Sequence, residues 1–457
     1  MVAPHPARQA PPETPAAPPG AAGPTGRPRS WLADLRARPE RRRRRDLVAA
    51  AVLVVLAVVG TLLVLRGGDE AATTLRLASP PLVADPPGPV PAGLVEAWRA
   101  ASPATAAPVT VGPAVVTAGT TPDGRGVVSG RDAVTGAVGW EYSRPEAPCT
   151  VGSGFGEVLA VFATAGPTGT WCSDVAALDP ATGARGPARD ADVRPGTRLL
   201  AQGGHVTATG PDYLEVWRSD LVATVEYGRL PTPVQAEPQP RRDCVHGSVA
   251  AASDVVAVLE RCPGEPSDRL TLLEPDPAGA DQPETRASEL TGITGGRLVT
   301  VAADREAVAA PDGTLHTFDG AATPVGVVSL GPLAGPTTDP PGLTAGSRVA
   351  GPVTLWWTGT GTVALDPTDL SPRWTLPGAL GAGATLTVAG GGPATVVVPV
   401  PDGLAVVDAA SGAVSRILPV DRSRDPVPPG EPVGVSVSGR TVLEQRGPTL
   451  VALRPTG

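Results

Sequence analysis

Four cysteines, four histidines and one short acidic pair are the side chains in this 457-residue sequence with the chemistry for covalent, metal or acid–base work. His5, His205, His246 and His316 are scattered, and no two stand at metal-ligand spacing. Asp190 and Asp192 form an acidic pair without the rest of a calcium loop. The stretch GSGFG at 152–156 has glycines to approach a phosphate, but not the Lys and Ser/Thr that would hold one. There is no Gly-x-Ser-x-Gly elbow for a serine nucleophile. The sequence therefore nominates no catalytic, cofactor-binding or metal residue. What remains is Cys149, Cys172, Cys244 and Cys262, whose spacing points to cross-linking.

The elements that must position these cysteines are short and turn-rich. Gly and Pro each number 56, apolar residues are 41% and aromatics 3%. Such a composition disfavours helix, because Gly and Pro are the two worst helix formers. Collagen is excluded, since Gly does not recur every third residue. From about residue 94, short Val/Leu/Ala/Thr runs alternate with turn residues every 8–12 positions, the pattern of antiparallel strands. Asp123-Gly124, Asp312-Gly313 and Asp402-Gly403 fall between such runs and suit type I′ hairpin turns.

One segment is different. Residues 47–65, LVAAAVLVVLAVVGTLLVL, carry no charge and are long enough as a helix to cross a hydrocarbon core of roughly 30 Å. Arg41 to Arg45 precede the segment, while Asp69 and Glu70 follow it. No small-residue cleavage site stands directly after it, which favours an uncleaved anchor over a signal peptide. The positive-inside rule puts the N-terminus in the cytoplasm and the bulk of the chain outside a cell membrane. Residues 1–46 hold ten Arg against four acids, and the rest holds 27 Arg against 41 acids. An outer portion this acidic offers no basic surface to nucleic acid. The expected order is a disordered Pro/Ala-rich cytoplasmic segment at 1–46, with 31–46 as a short interfacial helix, and a transmembrane helix at 47–65. A Pro-rich spacer at 66–93 and a single domain at 94–457 follow.

That domain repeats. An apolar strand, an acidic or Arg landmark and a turn recur at Asp132, Asp179, Arg218, Glu274, Asp319, Asp366, Asp408 and Arg454. The intervals of 39 to 56 residues fit one four-stranded propeller blade each, so eight blades are predicted. The last repeat stops three residues after Arg454, one strand short, and LVEAWRA with Trp98 is an unassigned strand at the start. Placing that strand beside the last blade would close the ring, leaving only short, protected edges. Cys149 and Cys244 each lie 30 residues before a landmark and three before a Gly-Ser. This equivalence favours Cys149–Cys172 and Cys244–Cys262, each within one blade. Disulfides suit an extracytoplasmic domain.

The motifs ALDPATG, RDAVTGAVGW, VALDPTDLSPRW and VVDAASG resemble the quinoprotein-type propeller repeat, Ala-x-Asp-x-x-Thr-Gly-x-x-x-Trp, of the PQQ-like or BamB-like families. The resemblance covers about residues 94–457 and is best at Asp132, Thr135, Gly136 and Trp140. It implies blade-packing roles for these four and for Trp98, Asp179, Gly183, Asp366, Trp374, Asp408 and Gly412. Trp171, Trp217, Trp356 and Trp357 have no assigned place and are candidates for a surface groove. The resemblance includes quinone-dependent dehydrogenases, which use a carboxylate base, a calcium site and usually adjacent cysteines. No two Cys here are adjacent and the chain has no Asn. The expectation is an all-β, eight-bladed propeller behind one membrane span. It would be a non-catalytic binding or scaffold module of the cell envelope, without cofactor and with protein partners. A quinone-dependent dehydrogenase is one alternative; a ligand-sensing propeller signalling through a cytoplasmic partner is the other. Acidic loops around the central channel are the expected place for a site.

Overall fold

The structure is a computed structural model that describes residues 40–67, 72–166, 169–230, 241–280, 282–302, 304–331, 339–390, 392, 394–428 and 430–456. It forms two separate units, residues 1–68 and 69–457. Among its described residues the first contains the helix Glu40–Gly67. Among the described residues no helix is long and apolar enough to cross a membrane; the part of this helix with described side chains, 44–61, begins with Arg44, Arg45 and Asp46. The expected disorder of the N-terminal segment and most of its interfacial helix lie outside the described residues.

The second unit is all β. Eight antiparallel sheets follow one another along the chain. Blades 1 to 7 span residues 109–144, 148–190, 199–228, 245–290, 297–329, 348–377 and 384–419. Blade 8 is built from residues 434–455 and completed on its outer edge by the strand Leu94–Ala101, which pairs with Thr449–Pro455. The first strands of blades 8 and 1 touch, so the ring closes where the chain does not. Within each blade the first strand lies innermost and the fourth outermost.

Each blade carries the same irregularity between its third and fourth strands, which in blades 1 to 7 stands just before the connecting turn. In blades 1, 6 and 8 the outer-strand residue beside it is Trp140, Trp374 and Trp98. Each indole donates to a backbone carbonyl in the turn of the next blade: Trp98 to Ala133 at 3.1 Å, Trp140 to Pro180 at 2.9 Å and Trp374 to Ala409 at 2.9 Å. Each ring also lies against a glycine of that turn, Gly136, Gly183 or Gly412, held at φ of 73°, 78° and 75°. A Cβ on Gly183 would come within 2.6 Å of Trp140. The landmark carboxylate shapes the turn. Asp132 Oδ1 accepts the Thr135 amide (2.7 Å) and hydroxyl (2.7 Å), Asp179 does the same with Thr182, and Asp408 with Ser411.

Where the preceding blade lacks the tryptophan, the turn lacks the glycine. The left-handed position is Leu221 in blade 3, Ala322 in blade 5 and Leu370 in blade 6, with φ of 62°, 57° and 58°. All three are buried. Each of these side chains is thus packed away from water, which offsets the cost of a non-glycine residue at positive φ. Asp366 keeps the turn in blade 6, accepting the Thr368 amide at 2.7 Å and pairing with Arg373.

Buried and half-buried carboxylates form a second set of blade-to-blade ties. Asp174 meets Arg144 at 2.5 Å, Glu215 meets Arg189 at 3.1 Å and Glu444 meets Arg422 at 2.7 Å. Glu260 accepts from Tyr227 (2.7 Å) and Thr271 (2.6 Å). Glu306, in blade 5, is the exception: it is buried and its Oε2 has no partner among the described residues.

Two expectations need correction. The 66–93 spacer does not stand free over its described part. Thr74–Arg76 adds a fifth strand to blade 1, Ala78 and Leu82 donate to the turn of blade 2, and Asp85 pairs with Arg454 at 3.0 Å. Leu82 fits against Gly139 because glycine leaves the outer strand bare there. The Asp-Gly turns are not type I′ either: Gly124, Gly313 and Gly403 take positive φ, but the aspartates before them do not. At 121–125 and 310–314 the hydrogen bonds instead describe a type I turn followed by a left-handed glycine.

Two outcomes follow. Trp140→Ala should cost about 3–5 kcal/mol in equilibrium unfolding. Gly183→Leu should cost a similar amount, while the double variant should lose less than the sum by about 1 kcal/mol or more, because the leucine then no longer meets the indole. Burial, followed by repulsion from Asp319 and Asp304, pushes the Glu306 carboxyl up to about 8. The native state then holds a proton that the unfolded chain releases near 4.5, so stability falls as pH rises between about 4.5 and about 8. Glu306→Gln should flatten that slope and raise stability at pH 9 by on the order of 1–3 kcal/mol, read from urea midpoints across pH.

Candidate functional site

Antiparallel order within every blade puts its connections on two opposite faces. Turns joining first to second and third to fourth strands lie on one face, with the landmark aspartates and docked tryptophans. Connections joining second to third strands, and each blade to the next, lie on the other. The strands that flank the connections at 229–244, 330–347 and 420–433 end and begin on this second face. Both disulfides lie on it as well. Cys149–Cys172 joins the start of the first strand of blade 2 to the start of its third, with Cα atoms 5.9 Å apart. Cys244–Cys262 joins residues flanking the first two strands of blade 4, 4.2 Å apart. No cysteine is free. Cys149 and Cys172 each stand at a register shift in the blade 2 ladder, and Cys244 and Cys262 stand just outside their strands.

The described part of the connection from blade 5 to blade 6 lies over other blades. Asp339 receives both Arg261 Nη1 contacts, at 2.7 and 2.8 Å, from the end of the second strand of blade 4. The Gly342 carbonyl accepts from Thr209 of blade 3 at 2.7 Å, and Leu343 packs against the apolar cluster that spans the blade 3–4 interface and includes Leu214 and Val249. This segment therefore covers the channel-facing strands of blades 3 and 4. On the far side of the channel, Arg348 of blade 6 donates to the Val435 carbonyl of blade 8 at 2.9 Å, reaching past blade 7.

Arg198, Arg297 and Arg348 stand on this face together with Asp339 and Asp268. Burial lowers the pKa of Arg198, Arg297 and Arg348 from the ordinary arginine range, and Asp339 partly offsets this at Arg297. All three stand at or just before the start of a blade's first strand. Arginines at this offset are invisible in the repeat because the connections that precede them differ in length.

The other residues with chemistry are packed inside blades. His246 is buried, its Nδ1 within 2.8 Å of the Gly210 carbonyl and its ring stacked on Tyr227, and burial holds its pKa down to about 4. His316 meets Thr314 at 2.9 Å; His5 lies outside the described residues. Asp192 is raised by burial and by Glu215, whereas Asp190 sits opposite Asp174 in the blade 2 sheet. GSGFG forms the first hairpin of blade 2, with Phe155 at φ 57° and Gly156 at 79°. Trp217 is buried and donates to Glu215 at 2.6 Å, Trp357 donates to the Ala379 carbonyl at 2.8 Å, and Trp356 is buried. Trp171 lies under the Arg194 guanidinium at 4.5 Å, at the edge of the loop face. The arrangement is a rigid surface of charged loops around a partly covered channel, suited to binding.

No known protein family matches the chain, and no curated protein matches it. Solved structures similar to it include BamB from Moraxella catarrhalis, at 15% identity over 79% of this chain and 99% of that one, with a TM-score of 0.45. The computationally designed Ika8 protein is 12% identical over 82% and 99%, with a TM-score of 0.47. BBS1N, from its complex with ARL6DN, is 14% identical over 80% and 98%, with a TM-score of 0.40. The eight-bladed assignment stands on the sheet topology of the chain itself.

Proposed function

We propose that this chain is a membrane-anchored, non-catalytic binding module of the cell envelope, and that its loop face recognises a protein partner. The observation that carries this reading is the concentration of both disulfides and the segment 339–345 on the face where the long connections begin and end. A surface held by disulfides and by the contacts of 339–345 loses little entropy when a partner binds. A scaffold role also agrees with the interior. The four cysteines are all cross-linked, and the perturbed carboxyls Glu260 and Glu306 serve or strain blade packing instead of facing solvent.

The anchor in this proposal is the uncharged stretch 47–65 within the helix Glu40–Gly67. Leu47, Val48, Leu53, Val54 and Leu56 are all at least 60% exposed, so nothing among the described residues covers them. A lipid bilayer is the environment in which such a surface is stable. Arg41 to Arg45 would remain on the cytoplasmic side, and the propeller would stand outside.

Alkaline extraction should leave the full-length protein in the membrane fraction, and protease added to intact spheroplasts should reach the propeller. Release by alkali, or protection of the propeller, would contradict the anchor. Photo-crosslinkers placed at Arg242 on the loop face should capture one defined envelope protein, while those at Ala410 on the opposite face should not. Equal capture from both positions would remove the assignment of the recognising face.

A further inference from the structure

Not every tryptophan socket between blades is filled. In blade 5 the residue at the tryptophan position is Gly326, opposite Thr317 and beside the same sheet irregularity. The turn it faces, in blade 6, presents Leu370. Between them lies an open groove of about 520 Å³, lined by Arg305, Thr317, Gly326, Leu370 and Pro372. The groove continues the blade 5–6 interface, since Leu315 and Leu370 belong to both. In the three filled sockets the indole N–H goes to the carbonyl one residue after the landmark aspartate. The counterpart here is the Pro367 carbonyl, and among the described residues nothing donates to it.

The strand bordering the groove is also unusual. Pro324–Ser329, PVGVVS, is the outer edge of blade 5 and carries no charge. The outer strands of blades 2, 3, 4, 6, 7 and 8 each carry Arg, Asp or Glu. Blade 1 has its outer edge covered by the added strand Thr74–Arg76. Charged side chains are the usual protection of an open sheet edge. Blade 5 instead exposes Val325 at 50% and Val327 at 61% beside a hydrogen-bonding edge.

From these observations the geometry points to a docking site for an extended segment of a partner protein. The segment adds as a fifth strand to Pro324–Ser329, as Thr74–Arg76 does to blade 1. It places an aromatic side chain, of the tryptophan type, in the groove beside Gly326. Main-chain bonds along the edge supply affinity, and the groove selects the aromatic residue. This site lies on the flank of the propeller and is independent of the loop face.

The test uses the full-length chain in detergent and two peptides: acetylated, amidated Thr-Val-Trp-Val-Thr and its counterpart with Ala at the centre. By saturation-transfer NMR the tryptophan peptide should bind at least about tenfold more tightly than the alanine peptide. Val327→Arg, at a surface position, should weaken that binding by about tenfold or more. The variant Thr317→Ala/Gly326→Trp/Leu370→Gly, which rebuilds the filled socket from within, should also lose it. No binding of the tryptophan peptide, equal binding of the two peptides, or binding unchanged by Val327→Arg would overturn the assignment. A concentration-dependent dimer abolished by Val327→Arg would do so as well, by giving the edge to a second copy of the chain.

Discussion

The structure depends on a constraint that no single blade can satisfy: every blade must be held to the next, and the last to the first. Four-stranded sheets bury one another's faces, but hydrophobic packing has no preferred register. The indole of one blade supplies that register. It lies on a left-handed glycine and donates to the adjacent carbonyl, so both a shape and a polar bond must match. The most consequential instance is Trp98 on the Gly136 turn, because it ties the strand that completes blade 8 to blade 1. The same closing strand pairs with Thr449–Pro455. A single short segment thus joins the two ends of the ring.

The remaining interfaces solve the problem by other means. A buried leucine or alanine replaces the glycine on the turn in blades 3, 5 and 6, and carboxylates bridge neighbouring sheets. These solutions are unequal. Glu215 and Glu444 meet arginines, whereas Glu306 meets none among the described residues, and the groove beside Gly326 remains open. The irregular features cluster at blade 5, which has no docked tryptophan on either side. An eightfold repeat allows a local departure of this kind, since neighbouring blades hold the ring.

Much of this is legible in the sequence, for physical reasons. The landmark aspartates are visible because a carboxylate accepting two backbone or hydroxyl protons needs Thr or Ser three residues later. The disulfides are readable because equal offsets from equivalent landmarks put the cysteines at equivalent places in two blades. The closing strand is readable because the final repeat is one strand short. What stays hidden depends on contacts between repeats. Nothing within blade 6 explains Leu370 until Gly326 of blade 5 is placed opposite it. The strand Thr74–Arg76 is three residues long and sits in a Pro-rich stretch, so composition alone makes it a spacer. The segment 339–345 has no periodic signal, because its contacts are with blades 3 and 4. The Asp-Gly pairs mislead because Gly alone can supply the positive φ when the turn holds one more residue.

Both proposed binding surfaces rest on the closed ring, which makes the loop face rigid and the flank of blade 5 a fixed edge. Amide hydrogen exchange on the full-length protein tests that closure most directly. If the ring is a single cooperative unit, amides of Leu94–Ala101 will exchange with the same opening free energy as those of Thr441–Arg446 in the interior of blade 8. Exchange of 94–101 at least about a hundredfold faster, with the rest of blade 8 still protected, would mean the strand opens by itself. The ring would then be held by its other interfaces, and closure through Trp98 and the 94–101 strand would be contradicted.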